Sequence, residues 1–220
     1  MKQIAHIETV YPTKFGVPRQ AGLVASRARV VFEPEYRVAE AVRGLEEFDY
    51  VWLIWQFHLA ERDGWSPTVR PPRLGGNTRV GVFATRSPFR PNAIGLSSVH
   101  LVGVENDAQY GPVLLVEGAD LVDGTPIFDI KPYIAYADSH PDARCGFASA
   151  APEANLAVDD PDGLTAHMPS ELRKALFDTL SHDPRPSYQN DRNRIYTMPF
   201  ADIEVSFRVE EKRVIIVKKC

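Results

Sequence analysis

Hydrophobic positions along the chain fall mainly into short runs of β-branched and aromatic residues, separated by turn-forming Gly, Pro, Asn and Asp. The runs at 4–10, 28–32, 50–57, 79–83, 97–104 and 112–118 predict strands. One early segment, VAEAVRGLEEF at 38–48, instead places Val38, Ala39, Val42 and Leu45 on one face of a helix. Many strands with few helices favour an antiparallel β-barrel, because alternating βαβ units would need several more helices. Near the C-terminus, Ser170 is placed to cap a helix whose Leu172, Ala175, Leu176 and Leu180 form one apolar stripe. Two alternating runs at 203–209 and 213–217 then predict a hairpin, which is marginal alone and is expected to pack on the barrel.

Composition divides the chain. The stretch after Tyr136 is rich in Ala, Asp and Pro and poor in large apolar residues, so it reads as a linker or arm. The expected architecture is mainly β: a barrel domain over 1–137 with one or two helices, a linker over 138–169, and a small α+β unit over 170–220. The start has no apolar leader and the longest apolar run, at 50–57, is too short to span a bilayer, so a cytoplasmic protein without membrane association is expected. Two cysteines, Cys145 and Cys220, offer no zinc site or disulfide framework.

Charge is distributed unevenly. Residues 62–100 hold six arginines, no lysine and one acid, a net of +5 in a chain whose formal charge is −4, leaving −9 on the remainder. Arginine forks match planar anions such as carboxylate and phosphate and stack on bases, so a phosphate- or carboxylate-bearing partner is expected there. The alternative is that these arginines cap carboxylates and loop carbonyls of the protein itself.

No G-x-G-x-x-G turn, P-loop or G-x-S-x-G elbow occurs, which argues against a Rossmann-type cofactor site and against a hydrolase built on Ser87 or Ser97 near His58. Four dense loop motifs remain. Pro18-Arg19-Gln20-Ala21-Gly22 combines a two-way hydrogen-bonding amide with small residues that let a ligand approach backbone amides. Phe57-His58 ends a strand, where the pair would flank a purine or the histidine would sit satisfied in the core. ATRSPFRPNAIGLS carries Arg86 and Arg90 on an irregular, proline-broken loop. DLVDGTP followed by DIKPY clusters Asp120, Asp123 and Asp129 beside Lys131, and with no histidine and a competing ammonium it is not read as a metal site.

Together with Asp183-Pro184-Arg185-Pro186-Ser187-Tyr188, the motifs Gln20-Ala21-Gly22, RPPRLGGNTRVGVFATRSPFRPNAIGLS and DLVDGTPIFDIKPY resemble the TsaA-like (TrmO) family of tRNA methyltransferases over nearly the whole chain. The resemblance implies an S-adenosyl-L-methionine-dependent homodimer built on a β-barrel. The implied substrate is N6-threonylcarbamoyladenosine at position 37 of the tRNA anticodon loop, of the tRNA-Thr type, with its N6-methyl derivative as product. By motif, the implied cofactor contacts are Gln20, Ala21, Gly22, His58, Leu59, Arg86, Leu96, Asp120, Leu121, Val122 and Asp123.

Methyl transfer mainly requires alignment of donor and acceptor, worth about 7–11 kcal/mol when well oriented. In a threonylcarbamoylated adenine, N6 belongs to a urea and is a poor nucleophile until its proton is lost. A base is therefore expected, with Asp129, Asp123 and Tyr188 as candidates and His58 as a fourth. Arg70, Arg73, Arg79 and Arg90 would hold phosphates or the threonyl carboxylate, with Arg185, Tyr188, Arg192 and Arg194 adding a second surface suited to a stacked, single-stranded RNA loop. A non-catalytic module that binds the cofactor or a nucleotide and associates with RNA is the competing reading.

Overall fold

A computed structural model describes residues 1–60, 64–150, 156–185, 191 and 194–218. Six of its strands close into a ring: β1 (Ala5–Glu8), β2 (Arg27–Phe32), β3 (Tyr50–Gln56), and then, past the two-residue pair β4 (Thr68–Val69) and β5 (Val80–Gly81), β6 (Ile94–Asp107), β7 (Gly111–Glu117) and β8 (Thr125–Pro132). Around the ring the order is β1-β2-β7-β6-β3-β8, each strand antiparallel to both neighbours. Alternation explains the closure. In β3, Val51, Leu53 and Trp55 are buried while Tyr50, Trp52 and Ile54 are not, and Ile7, Val30, Val99, Leu114, Val116 and Ile127 meet the first set inside. Each fully buried aliphatic side chain of this kind contributes roughly 1.5–3 kcal/mol.

The ring departs from expectation in three places. Residues 38–48 form no α-helix. They make short 3₁₀ turns at Ala39–Val42 and Leu45–Glu47, separated by Arg43 in an extended and Gly44 in a left-handed conformation, which together end helical propagation. Val42 and Leu45 still pack on the ring core, so the apolar spacing was sound but the continuous helix was not. The strand expected at 79–83 shrinks to Val80–Gly81 before a 3₁₀ turn at Val82–Ala84. Conversely, β8 occupies what reads as an acidic motif. Its pairing with β3 shifts between Ile54 and Trp55, an irregularity that lets the strand carry Asp, Lys and two prolines while staying in the ring.

A second sheet has the order β10-β11-β12-β9, from β9 (Ala157–Asp159), β10 (Tyr196–Phe200), β11 (Ile203–Glu210) and β12 (Arg213–Val217). Strand β9 lies inside the expected linker at 138–169 and pairs parallel to β12, so the second unit starts earlier than composition suggested. The segment is also anchored by Asp160, whose side chain is 1 % exposed and accepts hydrogen bonds from the Leu164 and Thr165 amides and the Thr165 hydroxyl. After the four-residue helix α1 (Ala135–Asp138), the one long helix of the described residues is α2 (Ser170–Ser181), which buries Ala175, Leu176 and Leu180 against Phe200, Phe207 and Val214. Ser170 is its first helical residue and makes no cap. Pro169 occupies the capping position.

The β1–β2 connection joins the two units. Val10, Tyr11, Phe15, Val17 and Val24 belong to the core of the second unit, not to that of the ring. The Tyr11 hydroxyl hydrogen-bonds Ser26 at 3.3 Å and Thr179 of α2 at 3.1 Å, and the Ala201 amide donates to the Val10 carbonyl at 2.7 Å. Docking of the second unit thus fixes the loop that ends at Gln20.

Candidate active site

Antiparallel pairing brings four loops and the start of β6 to one rim of the ring. Ile7 near the end of β1 pairs with Thr125 at the start of β8, Trp55 near the end of β3 pairs with both Gly95 and Ile127, and Arg27 at the start of β2 pairs with Glu117 at the end of β7. The 10–26, 57–60, 82–92, 94–97 and 118–125 segments therefore converge. Between them lies a cavity of about 840 Å³, within the ~300–1,000 Å³ typical of cofactor sites.

Its floor is the open end of the ring interior. A Cβ added at Gly95 would lie 2.2 Å from Cε2 of Trp55, so the absence of a side chain there lets the indole lie against the β6 backbone. The Trp55 indole donates to Ser97 Oγ at 3.0 Å. Because indole N–H only donates, the Ser97 hydroxyl is free to donate onward, and it reaches Asp120 Oδ1 at 2.5 Å. Burial pushes the Asp120 carboxyl above the usual carboxylate range, opposed by the Ser97 hydrogen bond, the positive charge of Arg86 and a hydrogen bond from the Ala21 amide. Among the described residues Asp120 is the one acidic side chain in the cavity wall.

Two residues far apart in sequence meet above it: Arg86 Nη1 donates to Gln20 Oε1 at 2.7 Å, while the Gln20 amide nitrogen donates to the Arg19 carbonyl. The turns that carry Gln20 and Asp120 are joined by Gly22 and Gly118. The Gly22 amide donates to the Gly118 carbonyl at 2.9 Å, both residues have positive φ, and a Cβ on Gly118 would stand 3.3 Å from the Gly22 backbone. The amides of Ala21 and Gly22 are thus engaged by Asp120 and Gly118, and neither residue is among those lining the cavity.

Of the other expected cofactor residues, His58, Leu59, Leu96 and Val122 line the cavity. Leu121 points into the ring core and is fully buried. Asp123 faces away, exposed, with Oδ1 accepting from the Thr9 amide at 2.8 Å. Asp129 likewise lies outside the wall, paired to Lys131 at 2.9 Å and bonded to the Ile130 amide. Neither lines this cavity. Tyr188 and Arg192 fall outside the described residues.

The arginines separate by task. Arg90 lines the cavity and donates to the Thr85 carbonyl at 3.1 Å. Arg73 reaches the Ala150 carbonyl and Arg79 the Thr68 hydroxyl at 2.8 Å, while Arg70 is exposed. Arg185 is held bidentately by Asp183 at 2.8 and 2.9 Å, and Arg194 lies over the Tyr196 ring at 5.3 Å. Lys14 and Trp55 were not singled out by sequence. Lys14 crosses from the second unit's side to donate to the Leu59 carbonyl at 3.0 Å, and Trp55 is opposite a glycine in a β-pair, a signal visible only once register is known. No group of three or more His, Cys, Asp or Glu among the described residues is arranged to hold a metal ion, and no helix among them is long and apolar enough to cross a membrane.

Residues 6–139 match the family model for the tRNA-methyltransferase O N-terminal domain, and residues 154–219 match that for the TrmO C-terminal domain. The chain belongs to the TrmO family. It is 44% identical to the tRNA (adenine(37)-N6)-methyltransferase of Escherichia coli (strain K12), over 96% of this chain and 93% of that protein, and 46% identical to the enzyme of the same name from Eikenella corrodens, over 77% and 95%. A crystal structure of TrmO from Pseudomonas aeruginosa superposes with a TM-score of 0.77 at 32% identity, covering 98% of this chain and 94% of that one. This TrmO-family chain therefore shares the two-unit architecture over almost its whole length.

Proposed function

We propose that the protein uses S-adenosyl-L-methionine to methylate N6 of N6-threonylcarbamoyladenosine at position 37 of tRNA, of the tRNA-Thr type, in the cytoplasm and as a homodimer. The cavity fits the cofactor by its donor set: an Arg86–Gln20 pair for a carboxylate, the Phe57-His58 segment that follows β3 for an adenine, and apolar Leu59 and Leu96 at the rim. When bound, the cofactor supplies an electrophilic methyl carbon whose bonding pair stays with the sulfur.

The observation that carries the reading is Asp120, an acid held by Ser97 and the Ala21 amide on the cavity wall. A urea-type N6 must surrender its proton as the new N–C bond forms, and Asp120 accepts it. Burial makes this carboxylate a stronger base than an exposed one, a role worth roughly 10²- to 10⁴-fold. Arg90, partly buried in the same wall, holds the threonyl carboxylate. The base has to be ionised, so kcat/KM rises with pH through the raised Asp120 value and then levels.

The test is transfer of labelled methyl to tRNA with and without the threonylcarbamoyl group, for the wild type and Asp120→Asn. The proposal expects transfer only to the modified tRNA, and a kcat loss of at least 100-fold in the variant with cofactor affinity within about threefold of wild type. Equal transfer to unmodified tRNA would refute the substrate assignment. Loss of cofactor affinity at unchanged kcat would make Asp120 a cofactor contact instead.

A further inference from the structure

A second cavity, of about 440 Å³, opens beside the first, where the β1–β2 connection meets the second unit. It shares one wall with the first. That wall is made of Lys14, Val17, Pro18 and Arg19, the residues that line both. Its two charged members are cations, exposed and only lightly engaged: Lys14 donates one hydrogen bond, to the Leu59 carbonyl, and Arg19 makes two long contacts of 3.4 Å, to the carbonyls of Asp183 and Arg185. Beyond the wall the second cavity has an apolar side from Phe15 and Pro72 and a polar side from Thr179 and His182.

An RNA nucleotide whose base enters the first cavity remains tied to its neighbours by phosphates. The chain must leave over a ridge, and a ridge carrying two cations with no carboxylate partner among the described residues suits a phosphate better than any other covalent neighbour of the target base. On that geometry, and resting on the substrate reading above, we propose that Lys14 and Arg19 hold the phosphate linking the target nucleotide to an adjacent one, whose base occupies the second cavity. The protein thus grips a dinucleotide step rather than a single flipped base. The charge of the ridge comes from outside the arginine-rich segment, and the second cavity exists only because the second unit docks on the β1–β2 connection.

The experiment uses the full chain and an anticodon stem-loop carrying the modified adenosine. Lys14→Gln, Arg19→Gln and the double variant are compared with Arg19→Lys, which keeps the charge. The double variant is expected to lose roughly tenfold or more in RNA affinity. The slope of log affinity against log salt should fall by about 0.7 for the lost phosphate contact. Arg19→Lys should retain the slope, and cofactor affinity should stay within twofold throughout. Stem-loops lacking the base on one side or the other of the target are the second arm. One of the two should bind the wild type about fivefold or more weakly, as expected for a lost stacked base, and the double variant should show less than half that penalty. An unchanged salt slope in the double variant, a parallel loss of cofactor affinity, or no penalty from either abasic stem-loop overturns the proposal. If wild-type protein methylates normally while these arms fail, the subsite alone is wrong. If the arms succeed but no methyl is transferred, the fault lies with the proposed function.

Discussion

Gly95→Ala tests whether the cavity floor is set by one cross-strand pair. Gly95 faces Trp55 in the β3–β6 ladder, and an added Cβ would lie 2.2, 2.4 and 2.6 Å from Cε2, Cζ2 and Cδ2 of the indole. Those atoms belong to a rigid ring that is 5% exposed and in edge contact with Phe57 at 4.2 Å, so the ring cannot swing away cheaply. Overpacking of this kind costs about 1–3 kcal/mol. A displaced indole also loses its hydrogen bond to Ser97, worth about 0.5–1.5 kcal/mol. The expected loss is therefore about 1.5–4.5 kcal/mol, or roughly 3–18 °C in Tm for a chain of this size. The indole lines the cavity, so its displacement should lower cofactor affinity along with stability. Gly103→Ala is the control, with nothing within 4 Å of its added Cβ and no positive φ. Thermal unfolding and equilibrium dialysis with the cofactor measure both effects. Gly95→Ala/Trp55→Phe should recover part of the loss, since the smaller ring removes the atoms that clash. A Tm for Gly95→Ala within a degree of the Gly103→Ala control would refute the reasoning.

Three other perturbations separate structural from chemical roles. Tyr11→Phe removes the hydroxyl shared by Ser26 and Thr179, while Thr179 keeps its bond to the Ala175 carbonyl; a loss of about 1–2 kcal/mol is expected in denaturant unfolding, with faster amide exchange in α2. Asp160→Ala leaves the Leu164 and Thr165 amides without their acceptor and should cost about 3 kcal/mol in the same assay. Burial opposes ionisation of Asp160, but the hydrogen bonds from Thr165 and Leu164 outweigh it and hold the carboxyl below its ordinary value; its contribution is present above that ordinary value and is lost as pH falls through the depressed one, so Tm of wild type should fall more steeply in acid than that of Asp160→Ala. Asp120 has the opposite sign: its raised carboxyl favours the folded state at low pH and loses that advantage as pH rises through the raised value, so Asp120→Asn should be more stable than wild type at neutral pH while being inactive, as measured by Tm across pH.

The ring strands were legible from their β-branched and aromatic content, and in β3 and the first half of β6 also from period-two alternation, because one face is buried; β7 instead buries Pro112, Val113 and Leu114 in succession. Strand β8 was not legible, since Pro126, Asp129 and Pro132 disguise it as a loop and its place is earned by pairing with β1 and β3. The helix expected at 38–48 failed at adjacent backbone positions, Arg43 in an extended conformation and Gly44 with a φ of 84°, which no periodicity reports. At the site, the four motifs marked the converging loops, yet they did not reveal which side chains turn inward. Within four consecutive residues Asp120 faces the cavity, Leu121 the core, Val122 the cavity and Asp123 the Thr9 amide. The turn that carries them is held by the Gly22–Gly118 junction, a contact between segments nearly a hundred positions apart that no local pattern reports, while Asp129 takes its direction from the pairing of β8 with β3.

Charge along the chain proved a poor guide to charge in the site for a related reason. Of the five arginines between 70 and 90, Arg86 and Arg90 reach the cavity, whereas Arg73 and Arg79 are spent on the Ala150 carbonyl and the Thr68 hydroxyl. An irregular loop has many carbonyls unpaired by a ladder, and guanidinium groups are well suited to satisfy them. The positive potential at the cavity is instead assembled from two sources, Arg86 and Arg90 of that loop with Lys14 and Arg19 of the β1–β2 connection. Only the latter pair also borders the second unit, so loosening the Tyr11–Thr179 contact should move the cations on the ridge before it moves those on the ring.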